Sequence, residues 1–367
     1  MLKPVNRSRG NDYAIIVLSV LLITFGMAML SSASSHMSQV QTGTAVYYVT
    51  HQLLYGILPG TVLFLILSSI YYKRYEKLAV LGMAFGIILL GLTLTPLAFT
   101  AKGAARWVQI GPLTFQPSEP LKLFFIIYLA AWLTSPKARD RHSNKGFMAF
   151  LAILAVVMGL LLNQPATSTA LLIGTVATLM YIVSGARIAH LTATLAIVLA
   201  GLAVAIWSAP YRMARIEAFL HPEKNAQGSG YQVSQAKMAI GAGGVWGVGY
   251  GESTTKINSL PEPLGDSIFA VVGEETGFAG SVTLLGLILA LVVRIFIIAH
   301  ETRDRFGHLL LVGFGSLIAV QSFVNIGAIS GILPSTGIAL PFISYGSTGL
   351  VVFMGILGII NNISKHQ

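Results

Sequence analysis

Long apolar runs alternate with short polar segments along most of the chain. We identify ten runs that approach or exceed the roughly 20 residues with which a helix crosses a bilayer. They cover residues 12–33, 49–70, 78–98, 118–134, 147–163, 168–184, 188–208, 266–298, 306–330 and 340–363. An open strand would leave backbone groups unpaired in lipid, so each run is expected to be a helix. The pattern predicts an all-α polytopic membrane protein with ten transmembrane helices in a single domain, residues 1–367.

One polar segment is far longer than the others. Residues 209–265 separate the seventh apolar run from the eighth and are rich in glycine, tyrosine and charged residues. A few residues are enough to connect two helices, so this insert exceeds what a turn requires. We expect the function to lie in the insert, together with Asp266 at its end.

The distribution of basic residues between the loops predicts the orientation of the chain in the membrane. The chain carries a formal net charge of +10, but only 10% of its residues are charged. If the N-terminus is cytoplasmic, most Lys and Arg residues fall in short cytoplasmic loops, which is the positive-inside bias of membrane proteins. This explains the net charge better than nucleic-acid binding does. The C-terminus is then also cytoplasmic, and the long insert faces outward.

The residue inventory excludes several chemistries. The chain has no cysteine, so disulfides and thiolate catalysis are ruled out. Its eight histidines are scattered without a helix-spaced pair, which argues against a histidine-based zinc site. The sequence therefore gives no set of protein metal ligands.

Three polar features each have two interpretations. Glu119 and Lys122 are three residues apart at the start of the fourth run, so the two charges can meet, either to fix packing or to line a polar cavity. Asp266 is placed either to cap the eighth helix or to act chemically. The glycines between residues 241 and 249 could cradle a phosphate or permit tight re-entrant turns.

An ordered series of motifs runs along the chain: Gly103-Ala104-Ala105-Arg106-Trp107, Gln116-Pro117-Ser118-Glu119 with Lys122, Tyr211-Arg212 with Arg215, Gly228-Ser229-Gly230-Tyr231-Gln232, Leu260-Pro261-Glu262 with Asp266, residues 268–275, and residues 340–346. With these motifs in this order, the chain resembles the SEDS family of membrane proteins, which includes FtsW, RodA and SpoVE. The segment from Gly247 to Glu262 looks closer to the division branch (FtsW) than to the elongation branch (RodA).

The resemblance implies a peptidoglycan glycosyltransferase. Family members polymerise lipid II, an undecaprenyl-diphosphate-linked disaccharide-pentapeptide, on the outer face of the bacterial cytoplasmic membrane. Asp266 matches their essential catalytic residue and would be the general base. The other candidate substrate-binding residues are Arg106, Glu119, Lys122, Arg212, Arg215, Gln235, Lys237, Glu262 and Ser344.

The resemblance also implies a cofactor and partners. A divalent cation, Mg²⁺ or Mn²⁺, would be held mainly by the diphosphate and one carboxylate, which leaves no ligand cage to see in the sequence. The expected partners are lipid II, the growing glycan strand and a class B penicillin-binding protein that acts as the transpeptidase.

The chain departs from the family pattern near the expected site. Leu264, Gly265 and Ser267 replace the usual residues around Asp266, and Ala166 stands where the family usually has Asp. These departures leave slow or altered polymerisation as an alternative to full activity. Two other functions stay open: a lipid-II translocase (flippase), suggested by the intramembrane Glu119–Lys122 pair, and a non-catalytic scaffold that activates a transpeptidase.

Overall fold

A computed structural model describes residues 10–101, 104–110, 113–136, 144–164, 166–185, 187–207, 209–221 and 229–367. Within these ranges the helices are α1 (Tyr13–Thr42), α2 (Tyr47–Gln52), a π-helical segment (Leu53–Ile57), α3 (Leu58–Ser69), α4 (Lys73–Gly91), a 3₁₀ turn (Leu92–Leu94), α5 (Ser118–Thr134), α6 (Lys145–Asn163), α7 (Thr167–Val183), α8 (Ile188–Trp207), α9 (Pro210–Leu220), α10 (Ser229–Ala242), α11 (Thr255–Asn258), α12 (Ile268–Glu301), α13 (Arg305–Ile329) and α14 (Ser347–Lys365). The strands are β1 (Ala98–Ala101), β2 (Ala104–Ile110) and β3 (Leu113–Phe115).

The protein is mostly helical, and each predicted apolar run overlaps a helix. In the described part of the chain, seven helices are long and apolar enough to cross a membrane. They are Tyr13–Thr42, Tyr47–Ser69, Lys73–Leu94, Lys145–Asn163, Ile268–Glu301, Arg305–Ile329 and Ser347–Lys365. The structure thus supports a polytopic helical protein, while ten crossings remain a prediction.

Two local features differ from the predicted pattern. The strands β1, β2 and β3 form an antiparallel sheet in that order, so the all-α prediction is incomplete. The last helix begins at Ser347 rather than at residue 340, because Phe342 adopts a left-handed backbone with φ of 66° that cannot continue a helix. Residues 330–346 consequently form a long loop, called here the α13–α14 loop.

The two C-terminal helices form the centre of the bundle. Of their most apolar windows, 72% in α13 and 78% in α14 is buried, against at most 39% in the other five candidate spans. Those other helices expose large apolar side chains such as Val80, Leu81 and Leu289, as expected for surfaces that face lipid. Among the seven candidate spans, α13 and α14 are therefore the most enclosed by other parts of the protein.

The insert packs against a break in α12. Gly277 has non-helical torsions (φ 65°, ψ −160°), so the backbone groups on either side of it lack their helical partners. The glycine-rich segment 243–249 supplies these partners through four hydrogen bonds. They run from Val248 N to Glu274 O, from Gly249 N to Glu275 O, from Phe278 N to Gly244 O and from Ala279 N to Val245 O.

These bonds decide between the two interpretations of the glycines. A Cβ at Gly243 would overlap Gly273 O, and one at Gly247 would overlap Glu275 O. Close approach of the two backbones therefore requires glycine at both positions. The structure supports the tight-turn interpretation, because two of the amide groups offered by this segment bind α12 carbonyls rather than pointing at a ligand.

Two buried carboxylates hold the same junction. Glu275 forms an ion pair with Lys256 and accepts a hydrogen bond from Ser32 of α1. Glu274 accepts hydrogen bonds from the Ser253 hydroxyl and from Thr255. Because buried charges are tolerated only when paired and hydrogen-bonded, these contacts fasten the end of the insert to α1 and α12.

Gly277→Ala is expected to destabilise the protein, because its Cβ would overlap Gly247 N and because a φ of 65° with a ψ of −160° is open almost only to glycine and strains other residues by about 1–3 kcal/mol. The melting temperature in detergent should fall by several degrees. Gly286→Ala in the same helix is the matched control, since no atom lies within 4 Å of its added Cβ. Equal melting temperatures for the two variants would contradict the docking of segment 243–249.

Candidate functional site

Asp266 lies in the turn that precedes α12. The N-cap residue of α12 is Ser267, so Asp266 does not occupy the capping position that its sequence context allowed. Its side chain is half-buried, and Oδ2 accepts a hydrogen bond from Gln232 Nε2 at 3.2 Å. The carboxylate therefore points toward α10 of the insert.

The Asp266 turn is tied to the centre of the bundle through its backbone. Asn325 Nδ2, on α13, donates to Asp266 O at 2.9 Å and to Ile338 O at 2.6 Å. Ser344 Oγ donates to Gly265 O at 2.7 Å. One amide and one hydroxyl thus hold the Asp266 turn against the α13–α14 loop.

The Asp266 turn and the α13–α14 loop each contain a residue with a strained backbone conformation. Among the described residues, only Glu262 (φ 53°) and Phe342 (φ 66°) combine a side chain with positive φ. Such a conformation costs about 1–2 kcal/mol, and it persists where the surroundings fix it, often at functional sites. Here Glu262 O accepts hydrogen bonds from Gly265 N and Ser267 N, which closes the turn around Asp266.

Arg215, on α9, approaches the Asp266 turn. Its Nη1 donates to Ser335 O at 3.3 Å and to Thr336 O at 3.2 Å. A Cβ placed on Gly337 would lie 3.7 Å from Asp266 Oδ2 and 4.0 Å from Arg215 Nη2. A side chain at position 337 would therefore contact both the Asp266 carboxylate and the Arg215 guanidinium.

A cavity of about 120 Å³ lies beside Arg215. The cationic side chains that line it are Arg215 and Lys237, and its apolar lining includes Phe219 and Val233. Lys237 is an exposed side chain that packs against Gly331 of the α13–α14 loop. Two cations on one small cavity favour an anion, and a guanidinium is suited to bidentate contact with phosphate.

The other two predicted arginines meet at the end of α6. Arg106 Nε, on β2, donates to Gln164 O at 3.4 Å, and Arg212 Nη2 donates to Leu162 O at 3.1 Å. Cations are favourable there because the last carbonyls of a helix carry partial negative charge. Arg212 lies one turn before Arg215 on α9, so the two arginines share a helix face.

Glu119 and Lys122 form the ion pair that their spacing predicted. Lys122 Nζ lies 2.8 Å from Glu119 Oε2 and donates to Gln321 Oε1 at 2.9 Å, and the Lys122 side chain is 2% exposed. Gln321 Nε2 in turn donates to Ala339 O. Gln321 and Asn325 are four residues apart on α13 and bind consecutive residues of the α13–α14 loop, so polar contacts connect the ion pair to the Asp266 turn.

The remaining candidates occupy different environments. Gln235 is half-buried, one turn after Gln232 on α10. Glu262 is exposed at the strained turn. Ser344 is buried. Its hydroxyl accepts a hydrogen bond from Leu340 N and donates one to Gly265 O, so it supports both the α13–α14 loop and the Asp266 turn. Whether any of the three touches substrate remains a prediction.

Sequence reasoning missed the residues that hold Asp266. Gln232 lies in one of the family motifs but not among the candidate site residues, and Asn325, Gln321 and Gly337 belong to neither group. Gln321 and Asn325 did carry a signal, because amides four residues apart in an apolar run mark a polar stripe inside a membrane helix. Gln232 and Gly337 gave no comparable signal before the fold was known.

The described residues contain no group of three or more His, Asp or Glu side chains that could hold a metal. The candidate protein ligand in the site is the Asp266 carboxylate. A single carboxylate fits a hard cation that takes most of its oxygen ligands from a diphosphate, and it does not fit a site in which the protein supplies every ligand.

The fold and the site together define the class of protein: a helical membrane protein in which a carboxylate is held near a basic cavity. The chain belongs to the FtsW/RodA/SpoVE family of cell cycle proteins, whose family model matches residues 12–367. It is 35% identical to the "Probable peptidoglycan glycosyltransferase FtsW" of Trichlorobacter lovleyi, covering 96% of this chain and 93% of that protein. It is 34% identical to the stage V sporulation protein E of Bacillus subtilis, covering 97% of each.

Solved structures share the whole fold. A chain from a peptidoglycan synthase complex, described as coordinating polymerization and crosslinking, superposes with a TM-score of 0.80 at 27% identity, covering 96% of this chain and 97% of that one. The rod-shape-determining protein RodA of Thermus thermophilus superposes with a TM-score of 0.71 at 26% identity, covering 96% of each chain. The resemblance inferred from the motifs is thereby confirmed.

Lys122→Met is expected to lower the free energy of unfolding by about 3–5 kcal/mol, because it leaves the Glu119 carboxylate buried without its cation. Adding Glu119→Gln should recover much of this loss. Lys73→Met breaks the Lys73–Asp304 pair, whose side chains are 45% and 29% exposed, and should cost at most about 1 kcal/mol. Thermal unfolding in detergent compares the variants; a double variant no more stable than Lys122→Met would contradict this account of the pair.

Proposed function

We propose that this protein is a peptidoglycan glycosyltransferase that polymerises lipid II into glycan strands, with Asp266 as the general base. The observation that carries the proposal is the arrangement around Gly337. The Asp266 carboxylate and the Arg215 guanidinium both lie beside Gly337, and Arg215 also lines the cavity to which Lys237 contributes a second cation. The relatives named as peptidoglycan glycosyltransferases support the same activity.

The reaction needs a base and a site for an anionic leaving group. The acceptor sugar attacks C1 of the donor sugar through its 4-hydroxyl oxygen, and the hydroxyl proton passes to the Asp266 carboxylate. The new C1–O bond replaces the bond between C1 and the diphosphate, which inverts the configuration. Polyprenyl diphosphate leaves with the electron pair of the broken bond.

The leaving diphosphate is assigned to the cavity that Arg215 and Lys237 flank. Arg215 is anchored there by two loop carbonyls, so its orientation is fixed before substrate binds. A preorganised cation stabilises developing negative charge without reorganising during the reaction. Arg106, Arg212, Glu119 and Lys122 would shape the surrounding polar region, together with Gln235, Glu262 and Ser344.

A divalent cation, Mg²⁺ or Mn²⁺, is part of the proposal. Asp266 is the protein carboxylate that could share it with the diphosphate. When bound, such an ion would neutralise negative charge on the leaving group. The catalytic proposal for Asp266, Arg215 and Lys237 does not depend on which metal is used.

The finer topology belongs to the proposal as well. Ten crossings would place both termini in the cytoplasm, the insert 209–265 on the outer face, and the protein in the bacterial cytoplasmic membrane, where lipid II is polymerised. Relatives with FtsW names support a role in division, and RodA structures make a role in elongation the alternative. The partner we propose is a class B penicillin-binding protein, since a structural neighbour comes from a complex that couples polymerization to crosslinking.

Asp266→Asn should reduce glycan polymerisation by at least about 100-fold, because the amide keeps the shape of the side chain but cannot accept the hydroxyl proton. Purified protein, fluorescent lipid II and Mg²⁺ or Mn²⁺ give the rate from the lengths of strands on a gel. Binding of lipid II, measured separately in nanodiscs, should persist in the variant.

Other outcomes would favour the alternative functions. Lipid-II flipping in proteoliposomes that is lost in Glu119→Ala but not in Asp266→Asn would favour a translocase. Full complementation in cells by Asp266→Asn would favour a scaffold. An unmodified protein that binds lipid II and makes no polymer, alone or with its transpeptidase, would rule out the glycosyltransferase.

Arg215→Gln and Lys237→Gln should each lower kcat/KM for lipid II by about 10- to 100-fold, the effect of losing one charge-assisted hydrogen bond to phosphate. Lys77→Gln, an exposed cation on α4, is the control for net charge and should leave kcat/KM unchanged. Steady-state kinetics check the three variants. Equal effects of Lys77→Gln and Lys237→Gln would contradict the assignment of the cavity.

A further inference from the structure

One side-chain amide joins the Asp266 carboxylate to the start of α12. Gln232 Nε2 donates to Asp266 Oδ2 at 3.2 Å and to Ser267 Oγ at 3.0 Å. A terminal amide nitrogen has two hydrogens, so these two bonds use both of them. The amide thus bridges two consecutive residues of the Asp266 turn.

The orientation of this amide is determined by its partners. An ionised carboxylate only accepts hydrogen bonds, so the nitrogen of Gln232, and not its oxygen, must face Asp266. Ser267 is 0% exposed, and its backbone N–H donates to Glu262 O. The second bond of the amide therefore ends on a rigid buried hydroxyl, which holds the first bond in place.

The helix that carries Gln232 is itself rigidly supported. Ala236 and Ala239 of α10 are fully buried, and Ile240 packs so closely on Gly273 of α12 that an added Cβ would come within 3.0 Å of it. Gln232 thus projects from a helix packed directly against the element that begins at the Asp266 turn. A side chain on such a support can hold another group in one geometry.

We propose that Gln232 is a positioning residue for the Asp266 carboxylate. Asn325 fixes the backbone of Asp266, and Gln232 fixes its side chain, so that the carboxylate is held toward the space beside Gly337. This inference rests on the proposed function, in which Asp266 must meet a sugar hydroxyl. Misplacement of a catalytic group by about 1 Å can cost 100-fold in rate.

Among the described residues, two charged groups lie near Asp266: Arg215 approaches from α9 across Gly337, and Glu262 lies in the same turn. Gln232 on α10 and Asn325 on α13 are neutral. Gln232→Glu would keep the size of the side chain but would replace the donor with a carboxylate, so the hydrogen bond to an ionised Asp266 would be lost.

The test compares Gln232→Leu and Gln232→Glu with Met238→Ala, an exposed position on the same helix, in the lipid-II polymerisation assay. Gln232→Leu should lower kcat by about 10- to 100-fold, with KM changed by less than about threefold, because the base is misplaced while the binding groups remain. Gln232→Glu keeps the size of the side chain but cannot donate to an ionised carboxylate, so its kcat should fall as far as that of Gln232→Leu, again with KM changed by less than about threefold.

The outcomes separate this inference from the proposed function. If the unmodified protein polymerises lipid II and Gln232→Leu matches Met238→Ala, Gln232 does not position Asp266, while the glycosyltransferase stands. Full polymerisation by Gln232→Glu, which cannot donate the bond, would overturn the inference, and so would a loss in Gln232→Leu that changes KM as much as kcat. An unmodified protein that forms no polymer overturns both.

Discussion

The site depends on the amide of Asn325, which binds the carbonyls of Asp266 and Ile338 at once. These two residues are far apart in sequence and belong to different turns. An apolar residue at position 325 would leave two carbonyls without this donor in the interior of a membrane protein, where each lost hydrogen bond is costly. Because one amide serves both turns, the Asp266 turn and the α13–α14 loop are held in one register.

The break in α12 extends this constraint to the insert. A continuous helix would satisfy its own backbone and would have no groups to offer segment 243–249. Gly277 interrupts the ladder, and the freed groups of α12 bind the insert instead. Lys256 and Glu275 reinforce the junction beside it. The insert that carries Arg215, Gln232 and Lys237 is therefore joined to the bundle by backbone bonds near its end.

The sequence predicted much of the fold, because lipid requires apolar runs of helical length, and these runs could be read directly. It also placed Asp266 at the exit of the insert and paired Glu119 with Lys122, since i,i+3 spacing is a local property. The start of α14 and the partners of Asp266 could not be predicted. The positive φ of Phe342 and the bond from Gln232 depend on tertiary contacts between segments distant in sequence.

Asp266 and Arg215 approach each other where the chain offers backbone rather than side chains. Ser335 and Thr336 offer carbonyls to Arg215, and Gly337 offers no side chain at all. A loop that binds the guanidinium through carbonyls, followed by a glycine with φ of 67°, brings a carboxylate and a cation to the same position without filling it. That arrangement suits a reaction in which a hydroxyl loses a proton on one side while a diphosphate departs on the other.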